Sequence, residues 1–561
     1  MPEVRPRTVL QGTGVVAGAA YARVIRIRPR PAPPAFNGVL PEQLREAEQN
    51  RFLAAAEAVA EQLRDRAERA EGPAAEVLRA TAGMVTDRGW LRTVRHAIRE
   101  GHPAEQATAL ATDLFIHRFE AAGGLVAERV VDLRDIRDRV LARLRGEEES
   151  GPLPTGAPVV LLAEERSPAD TAALDPGQVV ALVTGLGGPT GHTAIIARQL
   201  NLPCIVALGA SWREIPADSM LLVDGAAGTV TVDPEAGHAH ELVERSRARA
   251  SRLARWRGPA RTADGHRVEL LANVADAPAA RAAAETQAEG IGLYRTELSF
   301  LSAAREPTVA EQTRVYRRVL DAFPAARVII RTLDAGSDKP LAYADPGPEA
   351  NPALGRRGLR VARGDEGLLL RQLDAIAAAA EGRGAAAPTG VMAPMIATVA
   401  EAAWFADLCR ERGLRPGAMI EVPAAALMAD LLLPHLDFVS VGTNDLAQYT
   451  MAADRLSPDL SHLTDPWQPA VLRLIQRVCE AGDQADVPVG VCGESAADPL
   501  LACVLTGLGA TSLSTAAVAV AGVGTQLAEV SLAFCRDLAQ VALAAAGARE
   551  ARATVEGMMG R

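Results

Sequence analysis

No stretch of this 561-residue chain reaches the roughly 18 to 20 consecutive apolar residues of a membrane-spanning helix. Its Pro- and Arg-rich start also lacks the apolar centre of a secretion signal. No membrane insertion is expected, and a cytoplasmic location is. Cysteines are few. The six of them, Cys204, Cys409, Cys479, Cys492, Cys503 and Cys535, show no Cys-x-x-Cys or metal-ligand spacing, which argues against a disulfide framework or a structural zinc. Positive charge is not in excess either. The 59 Lys and Arg stand against 69 Asp and Glu, a formal net charge of -10, so nothing electrostatic points to nucleic acid or an anionic membrane as a partner. Apolar residues are abundant at 48%, and a single core stops growing at roughly 250 to 300 residues, so several domains are expected.

The most informative chemistry lies in Gly187-Gly188-Pro189-Thr190-Gly191-His192-Thr193-Ala194-Ile195-Ile196-Ala197-Arg198. The upstream run Val179 to Val183 reads as a buried strand, and Thr193 to Leu200 as a short helix with an apolar face. His192 therefore sits where a glycine-rich turn hands over to a helix. A phosphoryl group on its imidazole would lie near free backbone N–H groups and the positive end of the helix dipole. A histidine in that place can also simply cap or pack against the helix.

Along the chain the texture changes several times. Residues 8 to 27 carry Val9-Leu10 and Val24-Ile25 around Gly12-Thr13-Gly14 and predict a short strand pair. Residues 40–146 are rich in Ala, Glu, Arg and Leu and predict an antiparallel helical bundle, with Leu44, Phe52, Val59 and Leu63 on the buried face and Glu61, Arg64 and Asp65 facing water. The bundle reads as an insert in a smaller α/β domain made of residues 1–39 and 147–237, whose apolar strands at Val159 to Leu162, Val179 to Val183, Cys204 to Leu208, Met220 to Val223 and Thr229 to Val232 surround His192. Residues 238–261 predict a charged, Arg-rich linker helix over 238 to 258.

From 262 to 561 strand and helix alternate, and polar residues recur at one place, the C-terminal end of each strand. Apolar runs end at Asn273, Arg295, Arg331, Met395, Glu421, Asn444-Asp445, Cys492 and Ser514. Eight such strands predict a closed (β/α)8 barrel with a catalytic mouth. The fold class is thus multidomain α/β. At the mouth, Glu421 and Asp445 are carboxylates on neighbouring strand ends that suit Mg2+ with open positions for substrate oxygens, although they also suit charge balance with nearby arginines. Arg295, Arg331, Arg357 and Arg455 offer planar forks for phosphate and carboxylate oxygens. Cys492 is either a small core residue or a thiol able to donate a proton.

These lines resemble enzyme I of the bacterial phosphoenolpyruvate:sugar phosphotransferase system over essentially the full length. The resemblance is carried by Gly187 to Arg198, Gly290-Ile291-Gly292-Leu293-Tyr294-Arg295-Thr296-Glu297, Arg331-Thr332-Leu333-Asp334 and Asn351-Pro352 through Gly355 to Arg357. It continues in Glu421-Val422-Pro423-Ala424-Ala425-Ala426, Val441-Gly442-Thr443-Asn444-Asp445-Leu446, Asp454-Arg455 and Val491-Cys492-Gly493-Glu494. The resemblance implies that His192 is phosphorylated, that Glu421 and Asp445 hold Mg2+, and that Arg295, Arg331, Arg357, Asn444, Asp445 and Arg455 surround phosphoenolpyruvate. It further implies that Cys492 protonates the enolate of pyruvate, that the helical insert docks the histidine phosphocarrier protein HPr, and that the barrel forms a homodimer. The chain departs from the family pattern in Thr13 and in lacking a histidine between Leu78 and Trp90.

Geometry adds an expectation. A barrel of about 300 residues has a radius of gyration of roughly 19 Å, so a histidine on another domain must swing to serve both the barrel and a carrier protein. Two other readings compete. A dikinase or phosphoenolpyruvate synthase needs an ATP-binding domain, which these residues do not hold. A regulatory paralogue would bind phosphoenolpyruvate without efficient phosphotransfer, and the joint retention of His192, Glu421, Asp445 and Cys492 argues against it.

Overall fold

The computed structural model describes residues 8–26, 38–69, 72–122, 129–147, 157–164, 174, 177–188, 192–300, 303, 305–336, 341–343, 347, 349–384, 387–455 and 457–560. The chain divides between Ser251 and Arg252 into two compact units.

The first unit is built on an eight-stranded mixed sheet of β1 (Thr8–Gln11), β2 (Thr13–Val16), β3 (Ala19–Arg26), β4 (Val159–Ala163), β5 (Val179–Thr184), β6 (Cys204–Val206), β7 (Met220–Asp224) and β8 (Thr229–Val232). The strand order is β1-β8-β7-β3-β4-β5-β6-β2. The central neighbours β3 to β6 run parallel, and the near-continuous apolar sequence of β4, β5 and β6 follows from burial on both faces. The strand pair expected from residues 8 to 27 does not form. Instead β1 pairs with β8, β2 with β6, and β3 with β4 and β7. Gly12 and Gly14 mark close backbone passage rather than a turn back: the Gly12 N–H donates to Gly228 O at 2.9 Å, and a Cβ at Gly14 would stand 2.2 Å from Gly225 O.

Among the described residues five helices, Glu42–Arg69, Gly72–Val85, Arg88–Arg99, Ala104–Ala122 and Val130–Arg145, lie in sequence between β3 and β4. Phe52, Val59 and Leu63 are buried, and Phe52 packs on Trp90 with ring centroids 5.6 Å apart. Leu44 is 50% exposed, contrary to expectation. Helical spacing fixes the side of a helix that faces a core but not how far along its length that core extends. The Gly72–Val85 helix packs against the His192–Gln199 helix. The Arg-rich helix runs from Ala236 to Arg255, and its first half is docked, with Ala239 and Val243 packing under Leu222 of β7. It is therefore only partly the free connector that its charge suggested.

The second unit is a closed all-parallel barrel of β9 (Glu269–Val274), β10 (Gly290–Arg295), β11 (Arg327–Arg331), β12 (Thr389–Ala393), β13 (Arg415–Ile420), β14 (Phe438–Gly442), β15 (Val489–Cys492) and β16 (Ser512–Thr515). Its interior is a packed layer of Leu293, Ile329, Met392, Met419, Phe438 and Cys492. The Phe438 ring fits because its neighbours are small. A Cβ at Gly390 or Gly417 would stand 2.7 or 2.3 Å from it.

Candidate active site at the barrel mouth

The strand ends of the barrel enclose a cavity of about 240 Å³. Arg295, Arg331, Glu421, Asn444, Asp445, Arg455 and Cys492, each placed at or after a strand end, all line it. Parallel strands bring these residues to one rim, because every chain turn after a strand opens on the same face.

The rim is a web of opposed charges. Arg331 closes β11, is 5% exposed, donates from Nη2 to Glu297 Oε1 at 2.5 Å and forms an ion pair with Asp334 Oδ2 at 3.3 Å. Burial alone would lower its pKa, but Glu297, Asp334 and Glu421 outweigh that and hold it raised. Arg357, 1% exposed, donates from Nη2 to Asp334 Oδ2 at 3.0 Å and from Nη1 to Asp445 Oδ1 at 3.3 Å. It stands behind the rim, tying Asp334 to Asp445, rather than on the cavity wall. Arg455 lies 3.7 Å from Asp445 Oδ2. Half-buried Arg295 has no hydrogen-bond or ion-pair partner among the described residues, which leaves its guanidinium available to a ligand.

Glu421 is 1% exposed, and its Oε1 accepts the Met395 N–H at 2.7 Å. Burial, together with the nearby carboxylates of Asp334 and Asp445, pushes its pKa up to about 8. Among the described residues no three His, Cys, Asp or Glu side chains converge as a metal cage. A pair of carboxylates beside an open cavity still fits Mg2+, which takes few protein ligands and fills its sphere with water and substrate oxygens. A transition metal that needs a full cage of nitrogen or sulfur ligands does not fit.

Cys492 ends β15 with its thiol at the cavity floor, donating to Val441 O at 3.4 Å. Burial raises its pKa, so the sulfur holds its proton. The floor is braced further by Thr443, whose hydroxyl donates to Cys492 O at 3.2 Å, and by Asn444, whose Oδ1 accepts the Glu494 N–H at 3.2 Å.

Glu297 and Asp334 were not assigned a role from the sequence, although both fall inside motifs quoted above. Asp334 follows Arg331 by three residues, a spacing that hints at their pairing, whereas nothing in the sequence ties Glu297 to Arg331, thirty-four residues on.

His192 lies in the other unit, at the first position of the His192–Gln199 helix. Pro189 to Gly191 and the His192 side chain lie outside the described residues. The approach to them is ordered by the β5 end, where the Thr184 hydroxyl donates to Leu186 O at 2.6 Å and Gly187 takes a left-handed φ of 97°.

Comparison with known proteins defines the class. Three family models of PEP-utilising enzymes match in order: the N-terminal domain over residues 11–129, the mobile domain over 155–228 and the PEP-binding domain over 250–532. A phosphoenolpyruvate-protein phosphotransferase of Streptomyces coelicolor is 46% identical, with 98% of this chain and 99% of that protein covered. Proteins of the same name from Haloferax volcanii and Bacillus subtilis are 41% and 33% identical, covering 85% and 93% of this chain and 86% and 94% of their own length. The chain belongs to the phosphoenolpyruvate-protein phosphotransferase family, enzyme I. Among the described residues no single helix is long and apolar enough to cross a membrane.

Proposed function

We propose that this chain transfers the phosphoryl group of phosphoenolpyruvate to its own His192 and then to the phosphocarrier HPr, releasing pyruvate. The observation that carries the reading is the gathering of Arg295, Arg331, Arg455, Glu421, Asp445 and Cys492 around one cavity, in a unit separate from the histidine. Nothing at the rim favours a purely regulatory role.

In this reading Arg295 and Arg331 bind the phosphoryl oxygens, with Arg331 pinned in place by Glu297 and Asp334. Arg455 and the Asn444 amide complete the cradle for the substrate's oxygens. Arg357 acts one step back, holding Asp334 and Asp445 apart from each other's charge. Glu421 and Asp445 hold Mg2+, which when bound supplies charge neutralisation on substrate oxygens. A nitrogen of neutral His192 attacks phosphorus in line; the N–P bond forms as the P–O bond to enolpyruvate breaks. The pKa of an ordinary histidine, near 6.5, makes the neutral nucleophile available at pH 7. Cys492 then gives its proton to the enolate carbon, completing pyruvate, and regains a proton from solvent. A buried, protonated thiol suits that task.

The helical segment 40–146 is the docking region for HPr in this reading. Its support is the packing of the Gly72–Val85 helix on the His192 helix and the exposed Leu44, Leu110 and Leu114. A homodimer through residues 262–561 is supported by exposed Leu427, Met428 and Leu431 just beyond β13. The test is to mix the full-length protein with phosphoenolpyruvate, Mg2+ and HPr. Pyruvate and phospho-HPr should rise together. Pyruvate release without any phosphorylated carrier would reject the proposed transfer.

A further inference from the structure

Met395 is the bulkiest non-glycine residue that the described chain places in the left-handed backbone region, at φ of 61°. The others there are Asn, Asp and Ala, which are short. A long side chain in that region carries strain and persists where the surroundings over-determine it, most often at a working site. Met395 follows β12, is 1% exposed, and stands against Gly358, where a Cβ would come within 3.2 Å of its own Cβ.

What the strained backbone achieves is visible in one contact. The Met395 N–H donates to Oε1 of Glu421 at 2.7 Å, with both residues buried. The other carboxylate oxygen, Oε2, lies over bare Gly442, where a Cβ would stand 3.0 Å from it. One oxygen of Glu421 is therefore anchored by a backbone donor while the other is given room. With the chain beyond Met395 held in place, rotating φ of residue 395 back to the negative region would swing the 394–395 peptide plane and carry the N–H off the carboxylate.

We infer that Met395 is a positioning residue: its left-handed backbone aims the N–H at Oε1 of Glu421 and so fixes the orientation in which that carboxylate meets a divalent cation. The inference rests on the reading of Glu421 as a metal ligand, and the test separates the two.

Three substitutions distinguish backbone from packing. Met395→Gly keeps the N–H and relaxes φ but removes the buried side chain. Met395→Ile keeps the volume, but β-branching makes the left-handed conformation a true outlier. Met395→Leu alters neither greatly. Each is made in full-length protein carrying His192→Ala, so that phosphoenolpyruvate binds without being consumed. Mn2+ is titrated in the presence of phosphoenolpyruvate and free metal is read by electron paramagnetic resonance. The Leu and Gly variants should bind Mn2+ within about twofold of the parent, while the Ile variant should bind roughly tenfold or more weakly, the scale on which lost outer partners weaken a metal site. Melting temperatures should rank differently, with Gly lowest because it leaves a cavity. Met395→Val is read in place of Ile if the latter fails to fold.

Glu421→Gln in the same background tests the underlying assignment. Parent-like Mn2+ binding by that variant means Glu421 is not a ligand, and the metal reading fails. If Glu421→Gln loses the metal while Ile retains it, or Gly loses as much as Ile, Met395 only packs and the inference is overturned.

Discussion

Arg331 is the residue on which charge and geometry meet most tightly, because Glu297 and Asp334 hold a nearly buried guanidinium at the edge of the cavity. Arg331→Ala should abolish phosphotransfer and also cost about 3 kcal/mol of stability, since it strands the Glu297 carboxylate in the interior. Adding Glu297→Ala should recover much of that stability in urea unfolding while activity stays lost. Equal stability of the single and double variants would mean that the pair is not what holds this wall. Cys492→Ala makes a different prediction. The thiol packs among Leu293, Met419 and Phe438, so stability should fall only modestly, while His192 phosphorylation persists and pyruvate formation slows. With phosphoenolpyruvate stereospecifically labelled at C3, the pyruvate methyl group formed in D2O should lose its chirality. Retained chirality at the wild-type rate would return Cys492 to the core. Most rim residues were legible because a reactive side chain after an apolar strand is unusual on eight strands in succession. Glu297 and Asp334 were not, since an acid's task depends on which cation it meets across the barrel. Met395 was legible as a strand end, but its left-handed backbone gave no signal, because sequence marks that conformation only through Gly, Asn or Asp.

At the scale of elements, the chain is closely packed where it leaves β5 at Gly185. A Cβ on Gly185 would stand 2.1 Å from the Trp212 ring, and that ring is itself contacted by the guanidiniums of Arg26 and Arg213, each 5.3 Å from its centroid. Gly185→Ala should therefore destabilise the first unit by about 1 to 3 kcal/mol. It should slow labelling of His192 while leaving phosphoenolpyruvate binding by the barrel unchanged. Wild-type melting and wild-type labelling would show that Trp212 yields without cost. The barrel strands were readable because each carries its own apolar run and polar end. Pairing in the mixed sheet was not, because β1 and β2 find partners some 200 residues away at β8 and β6, and a glycine announces an unusual backbone without saying where it leads.

At the scale of the whole molecule, the division at Ser251 and Arg252 predicts that the barrel unit unfolds as a cooperative unit of its own. Phosphoenolpyruvate with Mg2+ should raise only the calorimetric transition of the barrel unit, by the equivalent of about 2.7 kcal/mol at a hundredfold excess over Kd. A joint shift of both transitions would contradict this independence. The central claim is that a phosphoryl group rests on His192 between substrate and carrier. The most direct measurement is to incubate the full-length protein with labelled phosphoenolpyruvate and Mg2+, then locate the label by peptide mapping under alkaline conditions. The account predicts acid-labile, base-stable label confined to the peptide containing His192, and none on His192→Ala although that variant still binds phosphoenolpyruvate. Stoichiometric label on the variant, or label on any other residue of the wild type, would contradict it.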